Sequence, residues 1–147
     1  MRRVILESPF AGDVERNIRY ARACVRDSLL RGEAPIASHL LYTQPGILND
    51  DIPSERQRGI DAGLAWREVA DASVVYVDYG MSKGMEYGIK AAKEAGRPVE
   101  IRHLPPDVLA ELERRGREAE EPIDGEPCGA IKPAQLRTQA LAGSAKR

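Results

Sequence analysis

Asp78 and Glu86 stand eight positions apart, on either side of a turn that contains Gly80 and Gly84. Carboxylates held beside the free N–H groups of a helix start can bind a sugar hydroxyl, or attack a carbon that is losing its leaving group. Ser82, Gly84 and Met85 lie between or beside the acids and would add a hydroxyl and backbone donors for an anion. A plain reading stands next to this one: Asp78 or Ser82 caps the helix, and Glu86 is a solvated helical side chain. Spacing alone leaves both open.

The acids can act only if the chain around them forms a rigid edge. Val74-Val75-Tyr76-Val77 is a β-branched run, and residues 73–78 read as a buried strand. A helix pattern over 82–95 follows, ended by Gly96-Arg97-Pro98. Upstream, a first strand over 3–7 stops at a turn set by Pro9 and Gly12, with Asp13 placed as an N-cap. Val14, Ile18, Ala21, Val25 and Leu29 then recur at helical spacing, while Arg16, Arg19, Arg22 and Arg26 read as a solvated face rather than a phosphate stripe. A second strand is expected over 34–38, followed by a long connection over 39–51, a length often associated with function. Pro53 opens a second long helix carrying Ile60, Leu64 and Val69. Gly59 and Gly63 on it predict close approach of another backbone or a subunit partner, and Trp66 could sit at an interface, with ordinary core packing the plainer reading. A strand over 99–102 and a helix over 105–117 complete the pattern.

The order β-α-β-α-β-α-β-α predicts an α/β fold, a single Rossmann-like or flavodoxin-like domain with an open, mainly parallel sheet and helices on both faces. The domain is expected over 1–118, and 119–147 as a polar, flexible or partner-bound tail. With 147 residues there is room for one core. A net charge of −1 and an aromatic content of 5% argue against general nucleic-acid binding. No apolar run reaches the ~20 residues of a membrane span, and Glu7 ends the first apolar run too early for a signal peptide. Two cysteines and two distant histidines suggest neither a disulfide framework nor a metal site, so a cytoplasmic protein without a metal or other cofactor is expected.

Parallel α/β sheets build ligand sites at the carboxyl ends of their strands. Three segments should meet there: Ser8 to Asp13, the Ser38-His39 start of the long connection, and the turn from Asp78 to Glu86. The dinucleotide fingerprint GxGxxG, the P-loop and the nucleophile elbow GxSxG are all absent. What remains is small polar side chains, backbone amides and carboxylates, a set suited to a sugar or sugar phosphate.

These residues carry a resemblance. Leu6-Glu7-Ser8-Pro9-Phe10 resembles the opening strand and loop of the nucleoside 2-deoxyribosyltransferase superfamily. Ser82-Lys83-Gly84-Met85-Glu86-Tyr87-Gly88 resembles that superfamily's Gly-Met-Glu-hydrophobic-Gly helix start. From Val4 to about Leu104 the chain further resembles a phage-associated branch, with the phrases SPFAGD, ASHLLYTQPG and GMSKGMEYGI. The superfamily also contains nucleotide N-glycosidases.

The resemblance implies cleavage or exchange of the N-glycosidic bond of a (deoxy)nucleoside or its 5′-monophosphate. Glu86 matches the nucleophile that would attack the anomeric carbon and hold a glycosyl ester. Asp78 is the candidate proton donor to the departing base, although the superfamily's base-contacting aspartate falls at the position that here is Gly80. Ser82 beside Gly84 matches a phosphate-binding serine, with a longer spacing to the glutamate in the superfamily. Asp13 and Asn17 could bind sugar or base, and Asp13 could equally be a cap alone. His39 could contact substrate or be a structural histidine. Phe10 and Tyr42 could flank a base or simply pack. The expected ligand is a small nucleoside or nucleotide, and a homo-oligomer is expected in the cytoplasm, of the host if the chain is phage-encoded. The alternative is a non-catalytic module that binds a nucleotide-derived ligand.

Overall fold

The computed structural model describes residues 1–120. The tail expected beyond them lies outside the described residues. In chain order the elements are β1 (Arg2–Glu7), α1 (Val14–Leu30), β2 (Glu33–Ile36), α2 (Ser38–Leu41), α3 (Pro53–Ala65), a 3-10 turn (Trp66–Glu68), β3 (Ala72–Tyr76), α4 (Lys83–Glu94), β4 (Val99–Arg102) and α5 (Pro106–Glu120). Helix α5 thus runs through the expected domain boundary at residue 118.

The four strands form one parallel sheet in the order β2-β1-β3-β4. This is the expected α/β architecture. Right-handed crossovers dictate which face each helix covers. The step from β1 out to β2 puts α1 on one face, and the return steps to β3 and β4 put α3 and α4 on the other. Helix α5 joins α1, tied by Arg16 Nη2 to Glu113 Oε1 at 3.1 Å.

Alternation along β1 and β3 assigns their side chains to these two layers. Val4, Leu6, Ala72, Val74 and Tyr76 pack with Tyr20, Cys24 and Leu104 into the core under α1 and α5. Burying each of the larger apolar side chains contributes about 1.5–3 kcal/mol. The same face buries Glu33, which accepts from Ser28 Oγ at 2.7 Å and from both Arg102 terminal nitrogens at 2.8 Å. The other face is built differently. Its β1 and β3 side chains include Ile5, Glu7 and Ser73, and they look into a cavity.

Two sequence expectations change here. The second strand ends at Ile36, and Ser38 opens the short helix α2 instead of closing a strand. Trp66 is 44% exposed rather than in the core, and its Nε1 donates to Tyr42 Oη at 2.9 Å. The glycines of α3 do meet a close neighbour, but it belongs to the same chain. A Cβ at Gly63 would stand 2.6 Å from Ser38 Oγ, and one at Gly59 would stand 3.3 Å from Leu48 Cδ1.

Candidate functional site

The cavity lies between the carboxyl end of β1, helices α2 and α3, and the first turns of α4, with a volume of about 460 Å³. Small-molecule sites are typically about 300–1,000 Å³. Phe10, Leu48, Ile60, Leu64 and Met85 give it apolar walls. Helix α3 covers it without burying a single residue of its own. The hollow, rather than a packed interface, occupies the space beneath that helix.

Glu7 is its most unusual group. The side chain comes from the last residue of β1 and lies against α4, where Gly88 makes room for it: a Cβ there would stand 2.8 Å from Glu7 Cδ. Burial pushes the carboxyl up from the ordinary 4.5 to about 7, against the opposing pull of the Arg67 and Arg97 guanidiniums. No hydrogen bond contributes to that balance. A carboxyl in this condition exchanges a proton near neutrality, as general acids and bases do.

Beside it, buried Ser8 places Oγ 2.7 Å from His39 Nε2. Burial pulls the imidazole down to about 4, so His39 is neutral at pH 7. One tautomer then accepts the serine proton and the other donates to Oγ. The Phe10 ring stands edge-on to His39 at 6.4 Å between centroids. Glu7 and His39 therefore have proton affinities moved in opposite directions within one cavity, a pattern that separates an acid from a base.

Deeper in, Ile5 pairs with Ser73 and Glu7 with Val75, so Ser73 lies two residues, roughly 7 Å, down the same sheet face from Glu7. Arg97 Nε donates to Ser73 Oγ at 3.3 Å and its Nη1 to the Arg67 carbonyl at 2.7 Å. Arg97 is 8% exposed. Arg67 Nη2 is buried with no hydrogen-bond partner among the described residues. Both arginines line the cavity.

Of the residues singled out in the sequence, Ser8, Phe10, Ser38, His39, Tyr42, Ser82, Gly84 and Met85 line the cavity, so the three segments do meet. Ser82 caps α4 by accepting from Met85 N at 3.3 Å, and Lys83 begins the helix. Gly12 borders an adjoining shallow groove, and Pro9 is buried beside the lining. Asp13 caps α1, accepting from Arg16 N at 3.1 Å, and faces away toward α5. Both donor bonds of Asn17 Nδ2 go to the carbonyls of Phe10 and Ala11, at 3.0 and 2.9 Å. Asn17 holds the loop rather than offering its amide to the cavity.

The two acids that open the sequence reading both stand outside the lining. Asp78 accepts from Tyr20 Oη at 2.6 Å and from Leu104 N at 3.0 Å, and its Oδ1 lies 3.0 Å from His103 Nδ1. Burial opposes its ionisation, but those hydrogen bonds outweigh it and hold the carboxyl below its ordinary value. The acid therefore ties the turn after β3 to α1 and to the start of α5. Gly80, at φ +84°, closes that turn by donating to the Val77 carbonyl at 2.9 Å. Glu86 is exposed on α4. Lys83, Gly84, Met85, Tyr87 and Gly88 line the cavity, whereas Glu86 does not.

Sequence reasoning passed over Glu7, Arg67 and Arg97. The available signal was the alternation of β1: with Val4 and Leu6 on the core face, Glu7 had to fall on the opposite face with Ile5.

The architecture defines an open parallel α/β domain with a ligand-sized cavity at the carboxyl end of its first strand. Residues 2–102 match the family model described as "Domain of unknown function (DUF7768)", and the chain belongs to that family. No curated protein matches the chain. Among the described residues no cluster of His, Cys, Asp and Glu could hold a metal ion, and no helix is long and apolar enough to cross a membrane.

Proposed function

We propose that the cavity takes a nucleoside or nucleoside 5′-monophosphate and cleaves or exchanges its N-glycosidic bond. The observation that carries this reading is Glu7, a part-buried carboxyl poised near neutrality beside the Ser8–His39 pair in a cavity of nucleotide size. The resemblance of the Leu6–Phe10 and Ser82–Gly88 segments to nucleoside 2-deoxyribosyltransferases supports the same substrate class.

In this scheme protonated Glu7 gives its proton to the departing base as the bond from C1′ to nitrogen breaks, leaving the electron pair on the base. Water, or a second base through its ring nitrogen, bonds to C1′ and loses a proton to neutral His39 Nε2, directly or through Ser8. The cycle closes when His39 releases that proton and Glu7 regains one. Each group starts in the state that burial favours, as acid–base catalysis requires.

The test is release of free base from a panel of nucleosides and 5′-monophosphates. Glu7→Gln, which keeps shape and removes the titration, is expected to lower the rate by about 10²-fold or more. Glu86→Gln is expected to leave it within about twofold, because Glu86 lies outside the cavity. If Glu86→Gln abolishes base release and Glu7→Gln does not, the nucleophile implied by the resemblance is the right one and this scheme is wrong.

A second reading rests on the same placement of Glu86. With the resemblance's nucleophile on the solvent face, the cavity could serve as a non-catalytic module that binds a nucleotide-derived ligand. Ligand-dependent thermal stabilisation with no base release, in wild type and in Glu86→Gln alike, would favour it.

A further inference from the structure

We propose that Arg67 and Arg97 form an anion subsite at the inner end of the cavity, built for the phosphate of a nucleoside 5′-monophosphate. The inference rests on the nucleotide reading above and narrows it to the phosphorylated substrate.

The first support is the state of the two guanidiniums. Both line the cavity, and among the described residues neither has a carboxylate within the 4.0 Å of an ion pair. Arg97 is more than nine-tenths buried, and its site near Arg67 disfavours its charge: burial acts first, then repulsion from Arg67. Arg67 Nη2 is a buried donor with no hydrogen-bond partner among the described residues, its guanidinium lying 5.8 Å from the Tyr87 ring centroid. Leaving such a donor unmet is costly, and more so when it is charged. A phosphate would accept from Arg67 Nη2 and from the free edge of Arg97, and would offset the repulsion between the two cations.

The second support is that Arg97 is held in place without a ligand. Arg97 is fixed by Ser73 Oγ and by the Arg67 carbonyl, so the subsite spans β3, the 3-10 turn and the turn before β4. A donor fixed in this way loses little side-chain freedom when an anion arrives. Glu7 does not fill this role: it stands within electrostatic reach of both arginines but ion-pairs with neither.

Anion binding next to Glu7 favours its protonated form, so a proton should enter with the phosphate. The charged and titratable groups around Glu7 are His39 from α2, Arg67 from the 3-10 turn, Lys83 and Tyr87 from α4, and Arg97 before β4. Tyr42, Glu55 and the Asp50–Arg56 pair lie in the outer wall. His39 is already neutral at pH 7. Glu7 is the group left to change.

The experiment compares each deoxynucleoside with its 5′-monophosphate, and inorganic phosphate alone, by calorimetric titration into the full chain. Titrations near pH 7 in buffers of different ionisation enthalpy report proton uptake. The monophosphate is expected to bind about tenfold tighter or more than its nucleoside. Arg67→Gln should remove that preference and leave nucleoside affinity within about twofold, and Arg67→Lys should restore part of it. Arg97→Gln should act in the same direction; if it fails to fold, the Arg67 variants decide. Proton uptake should vanish in Glu7→Gln. Equal affinity for nucleoside and monophosphate, or a preference untouched by Arg67→Gln, overturns the subsite. Base release without a phosphate preference sinks this inference alone, whereas a phosphate preference without base release sinks only the glycosidic reading.

Discussion

Glu7 and His39 make opposite demands on the folded state. Glu7 sits near 4.5 when unfolded and about 7 when folded, so the stability it contributes is complete below pH 4.5 and is lost as pH rises through 7. His39 moves from 6.5 to about 4, so its contribution is complete above pH 6.5 and is lost as pH falls through 4. Each displacement corresponds to at most roughly 3 kcal/mol. Between pH 4.5 and 6.5 the two slopes oppose one another, because folding moves a proton from the imidazole to the carboxyl without changing the total. Urea midpoints are therefore expected to be nearly flat in this window for the unmodified chain, as far as this pair governs them. Glu7→Gln should leave a midpoint that rises with pH, and His39→Gln one that falls. Identical pH profiles for all three proteins would remove the inverted pair. At this scale the sequence was only partly legible. Ser8, His39 and Ser82 could be placed from strand ends and caps. The status of Glu7 depends on the face of β1 it occupies and on the lack of a side chain at Gly88, two facts separated by most of the domain.

Helices α2 and α3 position the outer wall of the site, and they touch where there is least room. A methyl at Gly63 would stand 2.6 Å from Ser38 Oγ and 3.0 Å from its Cβ. Both atoms lie close to the backbone, so little can be relieved by rotation. Gly63→Ala is expected to cost about 1–3 kcal/mol in chemical denaturation despite the better helix propensity of alanine. Adding Ser38→Ala removes the nearer clash and should recover part of the loss, a non-additive pair. A Gly63→Ala chain as stable as the original would mean that α3 is free to move away. The long regular elements were readable in advance because their apolar periods are sustained: 3.6 along α1 and a continuous β-branched run in β3. Helix α2, at four residues, is too short to show a period, so its segment looked like strand followed by loop. The same shortness hid the way Ser38 and His39 are presented, from a helical turn rather than a strand end.

The whole domain extends beyond the segment that matches its family. That match ends at residue 102, but Leu104 is 3% exposed, its N–H binds Asp78, and Leu109 and Leu112 pack against the core. A chain ending at residue 104 should be less stable than one ending at residue 120 by several kcal/mol, of the order of two or three large apolar side chains. Equal stability of the two would show α5 to be an appendage. Composition alone could set the number of domains but not this requirement, which arises from Tyr20, Asp78 and Leu104 meeting across three elements. The two faces of the sheet also differ in how they should breathe. One is a filled core, and the other is a hollow roofed by a helix with no buried residue. Opening α3 exposes little new apolar surface, so its amides should exchange with deuterium through local excursions, well before those of β1 and β3, which wait for global unfolding. The roof of the cavity would then also be its door, admitting a ligand without disturbing the half of the molecule that keeps it folded.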